Sequence, residues 1–263
     1  ITFTDGGADG GITLADIADL TLSTELGGSG GGNIAVNVPI AGTAGNGDDA
    51  TDVTITAGSG TISIEDISTD INDVLLTSTG GISLDGSITT ATDSDDADGV
   101  SGVVTLTGPV TLAGNTTIDT DSTSNNGAVT FTSTVDGGKT LTITSGSGAV
   151  EFAGNIGAST ALSDLTVNSS AGTGAITFSG NVGTSTAAGA AAVAIGNADT
   201  ASITFAGVEF TSSGAQTFIA DAYSITGADS TFATSNANIT FTDGGADGGI
   251  TLADIADLTL STE

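Results

Sequence analysis

The chain has 263 residues and carries 31 Asp and Glu against a single Lys or Arg, for a formal net charge of −30. A surface so acidic repels nucleic-acid phosphates and anionic lipid headgroups, both of which need Lys or Arg to neutralise them. His and Cys are absent, so disulfides, thiolate metal sites, Ser–His or Cys–His nucleophiles and His-bound zinc are excluded. No apolar run of about 18 residues occurs, so no helical membrane span is expected.

In chain order, residues 1–25 read ITFTDGGADGGITLADIADLTLSTE: two short apolar alternations separated by an Asp/Gly turn, then a third. The glycine run GGSGGG at 27–32 has neither the following helix nor the Lys of a phosphate-binding loop, and reads as a turn. Beyond it an alternating triplet recurs: DVTI from Asp52, DVLL from Asp73, TLTI from Thr140, DLTV from Asp164, SITF from Ser202 and NITF from Asn238, with DLTL from Asp19 as the first of the series. Apolar positions alternate with Thr, Ser or Glu at Val129/Phe131, Leu141/Ile143, Val150/Phe152, Leu165/Val167, Ile176/Phe178 and Ile203/Phe205, the period of a half-buried strand. The two helix-tolerant stretches, residues 14–20 and 187–196, are expected to be strand or loop, because the surrounding glycine density opposes helix.

Residues 239–263 repeat residues 1–25 without one change, a period of 238 residues (239 less 1). The domain expectation is therefore one repeat unit over 1–238 and the start of the next identical unit over 239–263, continuous and without a linker. Ile1 opens within an apparent strand with no signal-like start, which reads as an excerpt of a longer polypeptide.

Irregular self-similarity of this kind marks solenoids, in which one coil cannot bury its apolar face without a neighbour. An immunoglobulin-like array is the competing β architecture, but no Trp, a single Tyr and no unit boundary near about 100 residues count against it. The fold expected is all-β, a parallel β-helix of roughly eight irregular coils per unit, rising about 40 Å at about 4.8 Å per coil.

The paired segments LTITSGSGAVEFAGNIG at 141–157 and LTVNSSAGTGAITFSGNVG at 165–183 give the chain its rhythm. In this it resembles giant bacterial surface adhesins of the filamentous-haemagglutinin and autotransporter-passenger type. The resemblance implies a right-handed extracellular β-solenoid serving attachment, aggregation or sheath formation. The exact repeat makes adjacent identical units the expected partners, and cell-surface glycans are the partners of a second reading, a binding module.

Chemistry, in a chain so poor in titratable groups, falls to carboxylates in Gly-rich loops. Asp5 and Asp9 lie in TDGGADGG; Asp48, Asp49 and Asp52 in GNGDDATD; Asp93, Asp95, Asp96 and Asp98 in TDSDDADG. Hard cations such as Ca²⁺ take six to eight oxygens from Asp side chains and loop carbonyls, so these nine residues form the candidate metal set. Their bland alternative is solvated turn chemistry. A carboxylate pair of the glycosidase type is the one catalytic arrangement the composition leaves open; with no aromatic or basic residues around the acids, no enzyme activity is expected.

Aspartates directly before strands, at 19, 52, 73 and 164, pose a further question, since coils in register would bring like charges together unless donors or cations intervene. Thr-x-Thr pairs at Thr2/Thr4, Thr54/Thr56, Thr105/Thr107, Thr130/Thr132 and Thr140/Thr142/Thr144 have two readings: ordinary outward strand positions, or an ice-binding surface. The leading expectation is a structural and adhesive extracellular fibre module bound to cations. The alternative is a calcium-dependent glycan- or partner-binding module using loops near 41–52, 92–102 and 184–200.

Overall fold

The structure, a computed structural model, describes residues 1–4, 10–15, 18–25, 30–43, 51–68, 70–90, 102–122, 126–245, 248–253 and 257–262. Among these residues there is no helix, and every pairing between named strands is parallel. The chain is a β-solenoid with three faces. The first coil gives Thr2–Thr4 to the first face, Ile12–Leu14 to the second and Leu20–Ser23 to the third. The second coil, Ile34–Asn37, Ile40–Gly42 and Val53–Gly58, lies on the first in the registers Thr2 to Ala35, Ile12 to Ile40 and Leu20 to Val53.

The third face runs unbroken as ten strands from Leu20–Ser23 to Ile250–Leu252. Ten strands enclose nine turns, close to the roughly eight expected. The first face narrows to single-residue parallel bridges at Ile156 and Val182 before it widens again at Glu209–Ser212. The alanine-rich stretch forms the strand Ala190–Ile195 on the second face, so neither helix-tolerant segment shows a helix among its described residues.

Why these residues form strands follows from what lies above and below them. Alternate residues point inward and stack on their like: Ile34, Ile62, Ile82, Val110 and Val135 make one interior column on the first face. Each is at most 1 % exposed. Side chains repeated about 4.8 Å apart along such a column close the core without large voids. On the third face Phe131, Phe152, Phe178 and Phe205 stack at centroid separations of 5.0, 5.2 and 5.7 Å with planes within 9° of parallel. The first rings then meet a second cluster edge-on, with Phe205 against Phe210, Phe218 and Phe232 at 4.8 to 5.1 Å.

Corners fold because their glycines let coils touch. A Cβ on Gly148 would lie 2.1 Å from the Gly127 carbonyl oxygen, and one on Gly174 would lie 1.9 Å from that of Gly148. No side chain fits between such carbonyls, so the Gly/Ser turns read from the sequence mark backbone approach as well as chain reversal.

Candidate functional site

The connection from the second face to the third contains the residues that set this corner apart. Asp19, Asp52 and Asp73 each precede a third-face strand, and they stand one above the other. The Asp52 amide donates to Asp19 Oδ1 at 3.1 Å, the Asp73 amide to Asp52 Oδ1 at 3.1 Å, and the Val103 amide to Asp73 Oδ1 at 2.7 Å. The stack thus answers the repulsion problem with backbone donors placed between successive carboxylates. Asp164 takes no part: it lies inside Leu162–Val167 on the second face, in register with Thr140 and Ala192.

Partial burial pushes the Asp52 carboxyl above its ordinary value, aided by the neighbouring charges of Asp73 and Asp19 and opposed by the Asp73 amide. Burial likewise raises Asp73, with the Val103 amide pulling the other way. Past the acids, in the later coils of the same corner, runs an inner polar column. Thr90, Thr120 and Ser145 directly follow second-face strands and donate to the carbonyls of Gly102, Gly127 and Gly148 at 2.8, 2.7 and 2.7 Å. Asn168, held at φ 48°, then accepts from the Ser145 amide at 2.8 Å, and Asn197 donates to the Asn168 carbonyl at 2.7 Å. Buried hydroxyls and amides here satisfy the corner backbone, which has no strand partner of its own.

Of the nine candidate metal residues, Asp52 falls within this stack. Asp5, Asp9, Asp48, Asp49, Asp93, Asp95, Asp96 and Asp98 lie outside the described residues. Among the described residues no group of three acidic side chains converges as a cation site.

The third face brings together Thr pairs that are scattered in the sequence. Its outward file runs Thr21, Thr54, Leu75, Thr105, Thr130, Glu151, Thr177, Thr204, Ser224 and Thr251, each in register with the next. A second file, Ser23, Thr56, Thr77 and Thr107, runs beside it. Unequal loops hide this alignment in the sequence: of the file's threonines Thr21 and Thr54 alone stand in a D-x-T-x context, and the same pattern at Asp164 lies on the second face. Thr2/Thr4 and Thr140/Thr142/Thr144 belong to the first and second faces instead.

A shallow hollow of about 250 Å³ opens on the first face between Thr184, Thr186, Thr211, Ser212, Thr234 and Ser261, with no charged side chain in its lining. It offers hydroxyls without an acid or base to titrate. No family model matches the chain, and neither the curated proteins nor the solved structures contain a match to it.

Proposed function

We propose that the protein is a structural module of an extracellular fibre, a stiff rod whose working part is its stacked interior and whose Asp-rich loops take up divalent cations such as Ca²⁺. One observation carries this reading: parallel ladders run from Thr2 to Thr262 along one axis, and the repeated segment joins them as further rungs. Stiffness follows from that continuity, because each inner coil is held to both neighbours on all three faces. A structural role also agrees with a composition that lacks His, Cys and Arg, and with the adhesin-like rhythm of residues 141–157 and 165–183. A single Lys leaves trypsin-like proteases one site, which suits a location outside the cell.

The test is electron microscopy of a chain carrying two successive 238-residue periods, with Ca²⁺ and again with a chelator. Thin rods lengthening by about 45 Å per period, at about 4.8 Å per coil, are the expected result, and shortening or bending in chelator assigns the cation role. Beads on flexible tethers would overturn the fibre reading. Specific signals on a glycan array, lost in chelator, would move the function to a calcium-dependent binding module.

The aligned hydroxyls favour one second reading, an ice-binding third face. Thermal hysteresis that disappears in Thr130→Lys is its expected signature. Ordinary freezing behaviour in the parent protein would dismiss it.

A further inference from the structure

The unchanged repeat shows where the same residues settle one period later. In the first copy the strands Thr2–Thr4, Ile12–Leu14 and Leu20–Ser23 occupy the first, second and third faces. In the second copy every one of them has moved on by a face. Ile239–Asp243 pairs with Gln216–Ala220 on the second, Ile250–Leu252 with Tyr223–Ile225 on the third, and Leu258–Thr262 with Ser230–Thr234 on the first.

Counting rungs gives the reason. From Thr2–Thr4 to Ser230–Thr234 the described residues form twenty-six strands and two single-residue rungs, Ile156 and Val182. Twenty-eight positions on three faces make nine turns and one third. Specific contacts hold the second copy in that phase. Phe241 stacks on Phe218 at 4.9 Å and meets Tyr223 edge-on at 5.3 Å, while the Tyr223 hydroxyl donates to the Thr242 carbonyl. Its counterpart Phe3 faces Val36 on the first face.

The same residues differ in burial between the two copies. Leu252 is 44 % exposed and Leu260 53 %, whereas Leu14, the counterpart of Leu252, is 8 % exposed under the coil formed by Ile34–Asn37, Ile40–Gly42 and Val53–Gly58.

We propose that successive 238-residue units stack as one solenoid in which each unit is turned by a third of a turn relative to the unit before it. This rests on the fibre reading and adds a rotation to it. The acid corner, the Thr-rich face and the hydroxyl-lined hollow then move to a new side of the rod with every unit. They return to the first side after three units, or twenty-eight turns, an axial repeat of about 130 Å at about 4.8 Å per turn. A rod built this way presents each feature in all three directions, where a whole-turn period would confine it to one.

The absence of cysteine makes the test direct, since introduced thiols are the sole labelling sites. Two doubly spin-labelled proteins are compared, Thr13→Cys/Thr240→Cys and Thr2→Cys/Thr240→Cys; all three threonines are exposed. The first pair shares the second face across nine turns and is expected about 43 Å apart along the axis. The second pair is the same sequence position in the two copies, and its distance is expected to be longer by a few Å, because the lateral step between faces adds in quadrature to the axial rise. The reverse order overturns the one-third rotation and leaves the fibre reading standing, because a whole-turn period also stacks. Broad distributions in both proteins mean that the second copy does not stack at all, and overturn rotation and fibre together.

Discussion

The early and late coils of this solenoid close the same three-sided prism with different side chains. Up to Leu106 the third-face interior is aliphatic, with Leu22, Ile55 and Leu76 in one column; from Phe131 it is a stack of rings, and the junction is the registered pair Leu106 and Phe131. The corner before this face changes as well. Asp19, Asp52 and Asp73 hold it in the early coils, whereas Ala128, Ala149 and Ala175 precede the later strands. Because a coil meets its two neighbours and nothing farther, core and corner chemistry need agree from one rung to the next and not along the whole rod.

The sharpest way to break the contrast is to open the ring stack. Phe178→Ala, at a residue 1 % exposed between Phe152 and Phe205, is expected to lower stability by about 3–5 kcal/mol in denaturant unfolding. Ile55→Val in the aliphatic column should cost about 1 kcal/mol. A loss per unit of buried apolar area no larger at Phe178 than at Ile55 would show that the rings contribute no more than area.

Gly108 comes next. Its φ of 128° and a Cβ placed 1.7 Å from the Ser78 carbonyl oxygen demand both an unusual backbone and a displaced coil. Gly108→Ala is expected to cost about 2–3 kcal/mol, with early coils losing amide protection before late ones in hydrogen exchange.

Acid should strengthen the early half. Asp52 and Asp73 hold their protons more tightly folded than unfolded, so their contribution to stability is fully present below the unfolded value of 3.8 and is lost as pH rises through their raised folded values. The melting temperature is therefore expected to rise as pH falls from 7 toward 4, with early coils gaining more than late ones. A flat or falling profile would show that the stacked carboxylates are fully compensated by their amide donors.

The smallest effect exchanges the corners. Asp52→Asn keeps an oxygen to accept from the Asp73 amide while removing a charge, and should stabilise the protein at pH 7 by about 0.5 kcal/mol while flattening its pH profile. Ala128→Asp should do the opposite in a late coil.

Much of this architecture is legible residue by residue. Alternation at Val129/Phe131, Val150/Phe152 and Ile176/Phe178 specifies short strands with one buried edge, and a lone coil with such an edge requires stacked neighbours. Turn glycines such as Gly148 were equally plain, although their reason, a neighbouring carbonyl about 2 Å from any Cβ, belongs to the stacked state. The candidate site was legible in part. The Asp before four of the triplets is visible in the sequence, but Asp164 has the same local sequence context as Asp19, Asp52 and Asp73 and lies on another face. Most candidate cation residues fall outside the described part of the chain.

What the sequence determined alone is therefore local: strand, turn, the inward and outward side of each strand, and the solenoid class that follows when many such strands recur. Tertiary structure decided which face each strand joins. That choice depends on the number of rungs already laid down and on loop lengths between them, quantities no short segment contains. Residues 1–25 and 239–263 make the point, because one sequence occupies two different sets of faces, and the contacts of Phe241 with Phe218 and Tyr223, rather than any change of residue, hold it there.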